Sequence, residues 1–287
     1  MQRNLVPQMP RRIFDLFIFS SLYIALCAVL MAYQVTDLLK IQSPSSNFLW
    51  FVFFSTICSY NFHWYFTPDS PSENRRVIWT HKHKRLHLVL ILISLVAAFL
   101  LFLPLLEFWL WIGFSMLLTF LYSAPKLPLK PAYILRKVAV GKTIFLSLVW
   151  MYVTTILPII ISGVTWEPVH TLFCISRFFF IYSICIIFDF RDREQDKREG
   201  IRSMITHFSE KGINALFIVS IIIYVLTTIA LAYYGIQVSI VVLLILPGLI
   251  VLWLYPYLKK NFSDYLYYFL LDGIMALPAL LTSLLSF

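Results

Sequence analysis

Long apolar stretches alternate with short polar segments along the whole chain. A helix needs about 20 apolar residues, each rising 1.5 Å, to cross the roughly 30 Å of hydrocarbon in a bilayer. The pattern predicts nine transmembrane helices, at 13–36, 48–66, 86–106, 108–122, 143–163, 169–189, 214–234, 236–256 and 264–286. The fourth stretch is short and only Pro104 and Glu107 mark its start, so eight spans is the alternative count.

Composition supports the same class of protein. Hydrophobic residues make up 60% of the chain, charged residues 13%, and the mean hydropathy is +0.83. Soluble domains carry about 25% charged residues, so the balance indicates an all-α polytopic membrane protein. We find no internal repeat and no low-complexity linker, and we therefore expect residues 1–287 to form a single transmembrane domain.

The basic residues predict the orientation in the membrane. With the N-terminus in the cytoplasm, nearly all of the 23 lysine and arginine residues fall in segments on the cytoplasmic side. This bias is what the positive-inside rule requires, and it places the C-terminus outside. The net charge of +9 is then explained by topology and anionic lipid, so we expect no nucleic-acid partner.

A charged segment follows the sixth predicted span, from Asp189 to Gly200. Asp189, Asp192 and Asp196 are spaced i, i+3, i+7, which places them within about 60° of each other on a helix. Crowded carboxylates repel each other unless cations lie between them, so this face is a candidate site for a divalent metal. The alternative is a solvated helix end, because basic residues interleave with the acids: Arg191, Arg193, Lys197 and Arg198.

Two further polar groups lie at the cytoplasmic ends of spans. Asn61, Tyr65 and Asp69 are spaced four apart after the second span, although an aromatic interface belt followed by a turn is the alternative interpretation. Tyr122 and Lys126 lie one turn apart after the fourth span, where the lysine could also be an ordinary anchor. The second, fourth and sixth spans end on the same side, so these groups are expected to converge.

An acidic patch beside lysines and arginines at this depth suits a diphosphate held through Mg²⁺. Magnesium prefers one or two protein carboxylates together with phosphate oxygens and retained waters. The apolar tail of the ligand would stay in the membrane interior. A polyprenyl diphosphate has this combination of polar head and hydrocarbon chain.

The chain resembles the UbiA superfamily of intramembrane prenyltransferases over nearly its whole length. The segment from Asp189 to Gly200 resembles that family's second aspartate-rich motif, and Tyr122 with Lys126 is similar to its Tyr-x-x-x-Lys signature. The resemblance implies nine transmembrane helices around a central cavity. It also implies Mg²⁺-dependent transfer of a prenyl group from a polyprenyl diphosphate to an aromatic or hydroxyl acceptor, with membrane lipid around the protein and no protein partner.

The resemblance also assigns roles to individual residues. The implied metal ligands are Asn61, Asp69, Asp189, Asp192 and Asp196. The implied substrate-binding residues are Asn61, Tyr65, Lys126 and Arg193. The implied catalytic residues are Asp189, Asp192, Asp196, Tyr122 and Lys126. The basic pair Arg75 and Arg76 lies near the first of these motifs, where it could affect recognition of the head group.

One position departs from the family pattern. The first motif of the family reads Asn-x-x-x-Asp-x-x-x-Asp, and Tyr65 stands at the middle aspartate while Asn61 and Asp69 match. A phenol is a weak magnesium ligand because it keeps its proton at neutral pH. Either Asn61 and Asp69 hold the first metal with extra waters, or a cation replaces that metal, or catalysis has been lost. The alternative function is the last of these, a catalytically inactive, UbiA-like protein that binds lipid or supports assembly. A small transporter is disfavoured, because the polar residues gather at one surface and not at mid-membrane.

Two charged residues fall deep inside predicted spans, Arg177 in the sixth and Asp272 in the ninth. An intramembrane charge needs a partner or a polar cavity. A structural ion pair, of Arg177 with Asp272 or Glu107, and a contact with substrate are both open.

Overall fold

The computed structural model describes residues 8–41, 45–67, 74–123, 142–198 and 204–284. All regular secondary structure in these ranges is helical, which confirms the predicted all-α class. The α-helices are α1 (Gln8–Phe19), α2 (Leu22–Leu38), α3 (Ser46–Tyr65), α4 (Arg75–Lys82), α5 (Lys84–Phe102), α6 (Trp109–Ser123), α7 (Lys142–Met151), α8 (Leu157–Ile161), α9 (Pro168–Arg198), α10 (Met204–His207), α11 (Glu210–Ala230), α12 (Val238–Leu258) and α13 (Asp272–Ser283).

Shorter helical segments of other types join some of these helices. The 3-10 helices are Leu103–Phe108 and Leu231–Tyr234, and the π-helices are Tyr152–Ile156 and Leu266–Leu271. The first 3-10 segment contains Pro104 and divides α5 from α6 at the predicted boundary between the third and fourth spans. A proline removes a backbone donor, so a break at this point follows from the sequence.

Within the described ranges, six helices are long and apolar enough to cross a membrane, or seven if a bent pair counts as one span. One of the six is the run from Lys84 to Tyr122, which contains two of the predicted spans. The helix α3 is not among them, because hydroxyl, amide and imidazole side chains interrupt its apolar sequence. Length and composition alone therefore do not establish the count of nine.

The bent pair consists of Arg11–Phe19 and Leu22–Leu38, which meet at 55°. Ser21 at the bend has φ +70°, a left-handed backbone conformation that is uncommon outside glycine. The bend therefore needs support from neighbouring elements, and α3 and α4 supply hydrogen bonds to it.

Contacts between the helices close a ring. In order around the ring, neighbouring helices are α2, α3, α6, α7, α9, α11, α12 and α13, and α13 returns to α2. The apolar side chains of α5 and α6 point largely outward, as expected for surfaces that face lipid. The long helix α9 is the most enclosed element, with Phe180, Ile181 and Ile184 fully buried.

One end of the ring is closed by packed apolar side chains. This cluster joins α2, α8, α9 and α12 at the end far from the aspartates, and its buried members are Val35, Leu38, Ile159, Phe173, Cys174, Leu231, Val241 and Leu244. Polar side chains gather at the opposite end, where α9 continues past Asp189. The fold thus concentrates the candidate chemistry at one face of the bundle.

Candidate functional site

The three aspartates at and beyond the end of the sixth predicted span lie on one continuous helix, as their spacing predicts. Asp189 and Asp196 are 6% and 5% exposed, while the side chain of Asp192 is 33% exposed. Asp189 accepts a hydrogen bond from the hydroxyl of Thr143 on α7. Burial of two carboxylates argues against an ordinary solvated helix end for this stripe. That alternative does describe Glu194, which forms an exposed ion pair with Lys197 at 2.9 Å.

Asp192 pairs with its neighbour Arg191. The Nε of Arg191 donates to Oδ1 of Asp192 at 2.8 Å, and Nη2 donates to the hydroxyl of Tyr268 at 2.9 Å. The guanidinium carbon lies 4.4 Å and 5.0 Å from the ring centroids of Tyr267 and Tyr268. A buried arginine needs such partners, because the cost of removing its charge from water is otherwise several kcal/mol.

A second buried arginine, Arg76 of α4, lies on the other side of the same aromatic group. Its guanidinium carbon is 4.3 Å from the ring centroids of both Trp64 and Tyr268. The backbone N–H of Arg76 donates to Oδ2 of Asp264 at 2.8 Å, which caps the start of α4. Burial lowers the pKa of the Arg76 guanidinium, because the charged form loses water. Arg76 is predicted from the sequence as a residue near the head group, whereas Asp264 and Tyr268 are not.

Aromatic rings connect the ends of the second, fourth and sixth predicted spans at this face, with Tyr268 of the ninth as a bridge. Tyr122 of α6 stacks on His63 of α3 with centroids 5.4 Å apart and an interplanar angle of 15°. Trp64 of α3 meets the edge of Tyr268 at 5.9 Å, and Tyr268 accepts the hydrogen bond from Arg191 of α9. The three polar segments therefore come together at one face.

Asn61 is fully buried and makes three hydrogen bonds. Its Nδ2 donates to the carbonyl oxygens of Ser20 at 2.9 Å and Ile57 at 2.8 Å, and its Oδ1 accepts from Nδ1 of His87 at 2.6 Å. Both amide hydrogens are therefore used, and one lone pair on Oδ1 is left for another partner. Tyr65 is partly buried, and its ring packs edge-to-face with that of Phe66, with centroids 5.2 Å apart.

The remaining predicted residues divide into two groups. Arg193 donates from Nη2 to the backbone carbonyl of Phe208 at 2.7 Å, so this contact ties the end of α9 to the segment before α11. Asp69 and Lys126 lie outside the described residues.

Comparison with known proteins identifies the family. The sequence model described as the UbiA prenyltransferase family matches residues 68–270, which is more than half of the chain. The chain belongs to the UbiA prenyltransferase family. No curated protein matches the sequence.

Solved structures of UbiA homologues share its fold. One is a UbiA homolog from Archaeoglobus fulgidus bound to GPP and Mg²⁺, with a TM-score of 0.64 and 18% identity, covering 94% of this chain and 100% of that one. A structure of a UbiA homolog from the same organism bound to Cd²⁺ has a TM-score of 0.60 and 15% identity, covering 92% and 99%. At these identities the likeness shows the UbiA-like fold.

The carboxylates at this face of the UbiA family member suit a metal site whose remaining ligands are phosphate oxygens and waters. Among the described residues, no group of three or more His, Cys, Asp or Glu side chains is arranged as a metal cage. Magnesium at phosphate-containing sites needs only one or two carboxylates, with phosphate oxygens and waters completing its shell. Asp189, Asp192 and Asp196 fit that sparser requirement.

The two deep charges of this UbiA fold do not pair with each other. Nη2 of Arg177 donates to Oε1 of Gln34 at 2.6 Å, and Nε2 of Gln34 donates to the hydroxyl of Thr282 at 3.1 Å. In the described ranges no ion pair joins Arg177 to Asp272 or Glu107. Arg177 therefore ties α9 to α2 and α13 through an amide.

Proposed function

We propose that this UbiA family member transfers a prenyl group from a polyprenyl diphosphate to an aromatic or hydroxyl acceptor within the membrane, in the presence of Mg²⁺. Family membership supports prenyl transfer in general, and the identities of donor and acceptor class are our proposal. The observation that carries it is the stripe of Asp189, Asp192 and Asp196 on α9, which combines two buried carboxylates with a third at the surface.

The metal-binding residues in this proposal are Asp189, Asp192 and Asp196, with Asp69 and the remaining lone pair of Asn61 Oδ1. Magnesium, when bound, would neutralise charge on the diphosphate. Lys126 and Arg193 contribute further positive charge to the diphosphate, and Tyr122 and Tyr65 border the head group. The buried pair Arg76 and Arg191 adds to the positive potential at this face, because low-dielectric surroundings strengthen charge interactions.

The prenyl transfer itself needs an environment that tolerates an allylic cation and excludes water. The carbon–oxygen bond to the diphosphate breaks, the acceptor forms a bond to the freed carbon, and the acceptor loses a proton. Aromatic side chains of α9 are suited to this task. The rings of Phe178 and Tyr182 stack with centroids 5.6 Å apart, and the centroids of Phe188 and Tyr267 are 5.3 Å apart. Aromatic faces attract cations, and apolar walls keep water away.

The same proposal includes the topology. We propose nine transmembrane helices around a central cavity, built as a single domain over residues 1–287. The N-terminus and the active-site loops face the cytoplasm, and the C-terminus lies outside. Support comes from the clustering of basic residues in the sequence and from the closed ring of helix contacts.

A non-catalytic role in lipid binding or assembly is the second candidate. Tyr65 replaces a carboxylate of the first motif, and most hydrogen-bonding groups of Asn61 are used to hold helices together. A protein of this kind would keep the cavity and bind the donor without turning it over.

Turnover separates the two candidates. Purified protein is incubated with geranyl, farnesyl and longer prenyl diphosphates, with aromatic and hydroxyl acceptors, and with or without Mg²⁺. A prenylated product that requires Mg²⁺ supports the transferase. Donor binding without product from any acceptor supports the lipid-binding role.

A further inference from the structure

An open cavity of about 450 Å³ lies at the start of α9, beside the 3-10 turn Leu231–Tyr234. The helix rises about 30 Å between Pro168 and Asp189. The cavity therefore lies near the membrane surface opposite to the candidate active site. The proposed transferase function makes no use of it.

The walls of this cavity combine aromatic, acidic and apolar side chains. Trp166 and Tyr234 supply two aromatic rings from different elements, Glu167 supplies a carboxylate, and Leu172 and Ile175 continue the wall along α9. Trp166 and Tyr234 are 45% and 44% exposed. Large aromatic residues are common at membrane interfaces, but an acidic residue in the same cavity wall is not part of that general preference.

Local hydrogen bonds fix the side chain of Trp166 and the backbone of Glu167. Nε1 of Trp166 donates to the hydroxyl of Thr171 at 2.8 Å, which orients the indole ring. The backbone N–H of Glu167 donates to Nδ1 of His170 at 2.9 Å, and the N–H of His170 donates back to the carbonyl of Glu167 at 3.0 Å. The carboxylate is thus attached to a backbone position held from both sides.

The chemistry of these walls selects for an organic cation. Aromatic faces and a carboxylate together favour ammonium groups, which gain both cation–π and charge attraction. In the described part of the chain no basic side chain forms an ion pair with Glu167, so its charge is available to a ligand. A hard metal ion would need more oxygen ligands than one carboxylate supplies, and an anionic head group would be repelled.

We propose that this cavity binds the ammonium head group of a membrane lipid, with the acyl chains lying along Leu172 and Ile175. The cavity is large enough for such a head group, and the apolar end of its wall is continuous with the outer surface of α9, where Ile175 is 38% exposed. A soluble amine would use the aromatic and acidic walls but gain nothing from the apolar ones.

Competition between two lipids tests the proposal. The full-length protein is reconstituted in equimolar dioleoyl phosphatidylcholine and dioleoyl phosphatidylglycerol, and the lipids retained are counted by native mass spectrometry. We expect about a fivefold preference for phosphatidylcholine. Glu167→Gln and Trp166→Leu should bring the ratio close to one. Glu107→Gln and Trp253→Leu are matched controls, since both residues are exposed and neither lines the cavity, and they should keep the preference.

Three results would overturn the assignment. The first is equal retention of the two lipids by the wild type, and the second is a preference that survives both cavity variants. The third is binding of tetramethylammonium chloride without any enrichment of phosphatidylcholine, which would indicate a site for soluble amines. Tyr234→Leu provides an independent cavity variant if Glu167→Gln does not fold, as judged by gel filtration.

Discussion

The side-chain amide of Asn61 donates a hydrogen bond to the backbone carbonyl of Ser20 at 2.9 Å, where α1 and α2 meet at an angle of 55°. A helix end leaves carbonyl groups without partners inside the helix, and in a membrane each needs another donor. Asn61 supplies that donor from a different helix. A residue that the sequence suggests as a metal ligand therefore also supports the shape of the bundle.

The first prediction concerns this support. Asn61→Asp removes both N–H donors while keeping an oxygen, and it places a carboxylate against two carbonyl groups. We expect a loss of about 1–3 kcal/mol of stability, measured by thermal unfolding in detergent. Ser59→Ala is the control, because the Ser59 hydroxyl donates to the carbonyl of Thr56 within the same helix, α3. Unchanged stability of Asn61→Asp would contradict the structural role.

The second prediction concerns the carboxylate stripe. Asp192→Asn should weaken Mg²⁺-dependent stabilisation by geranyl diphosphate at least about tenfold, because a charged metal ligand becomes a neutral one. Arg191 keeps its hydrogen bond to Tyr268, so the fold should survive. Glu194→Gln on the same helix is the matched control, with a side chain 68% exposed. Equal effects of the two variants would mean that the aspartates act only through their general negative charge and not as metal ligands.

The third prediction uses the departure at Tyr65. Tyr65→Asp restores the carboxylate of the family motif at a partly exposed position, where an acid can still reach water. We expect turnover to require Mg²⁺ more strictly than in the wild type and to equal or exceed the wild-type rate, measured with the acceptor panel. Tyr65→Phe, which keeps the ring and adds no ligand, should leave the Mg²⁺ dependence unchanged. Loss of turnover in Tyr65→Asp but not in Tyr65→Phe would show that the aromatic ring itself is needed.

The fourth prediction concerns the stacked arginine. Arg76→Lys should cost about 2 kcal/mol or more of stability, since an ammonium cannot stack flat between Trp64 and Tyr268. Arg75→Lys is the control, because Arg75 is 39% exposed and its ion pair with Asp15 can be made by a lysine. Thermal unfolding of both variants checks the difference. Similar small effects would mean that the aromatic stack contributes little.

The fifth prediction concerns topology. A reporter fused after Phe287 should be active only outside the cytoplasm, and reporters inserted in 69–85 or 191–211 should be active only inside. The physical reason is the retention of basic segments on the cytoplasmic side during insertion. A cytoplasmic C-terminus would remove one crossing from the proposed topology.

Local properties of the sequence were sufficient for the helical architecture. The apolar length of a span and the spacing of Asp189, Asp192 and Asp196 depend on the pitch of a helix and the cost of placing charge in hydrocarbon. The pitch of a helix and the cost of placing charge in hydrocarbon both act within a few turns of the chain. Each predicted span lies mainly on helix in the described ranges, and Pro104 marks the break at Leu103–Phe108. The bend that divides the first predicted span at Ser20 and Ser21 was not predicted.

Tertiary packing alone decided which polar groups meet. Asn61 and Ser20 are 41 residues apart, and Arg191 and Tyr268 are 77 residues apart, so no periodicity links them. Each pair forms because a buried donor must find an acceptor, and the acceptor within reach depends on which helices become neighbours. The sequence by itself determined the helices and their charged ends. The partners of Asn61, Arg76 and Arg177 followed only from the closed ring, since packing brings distant segments within hydrogen-bonding distance.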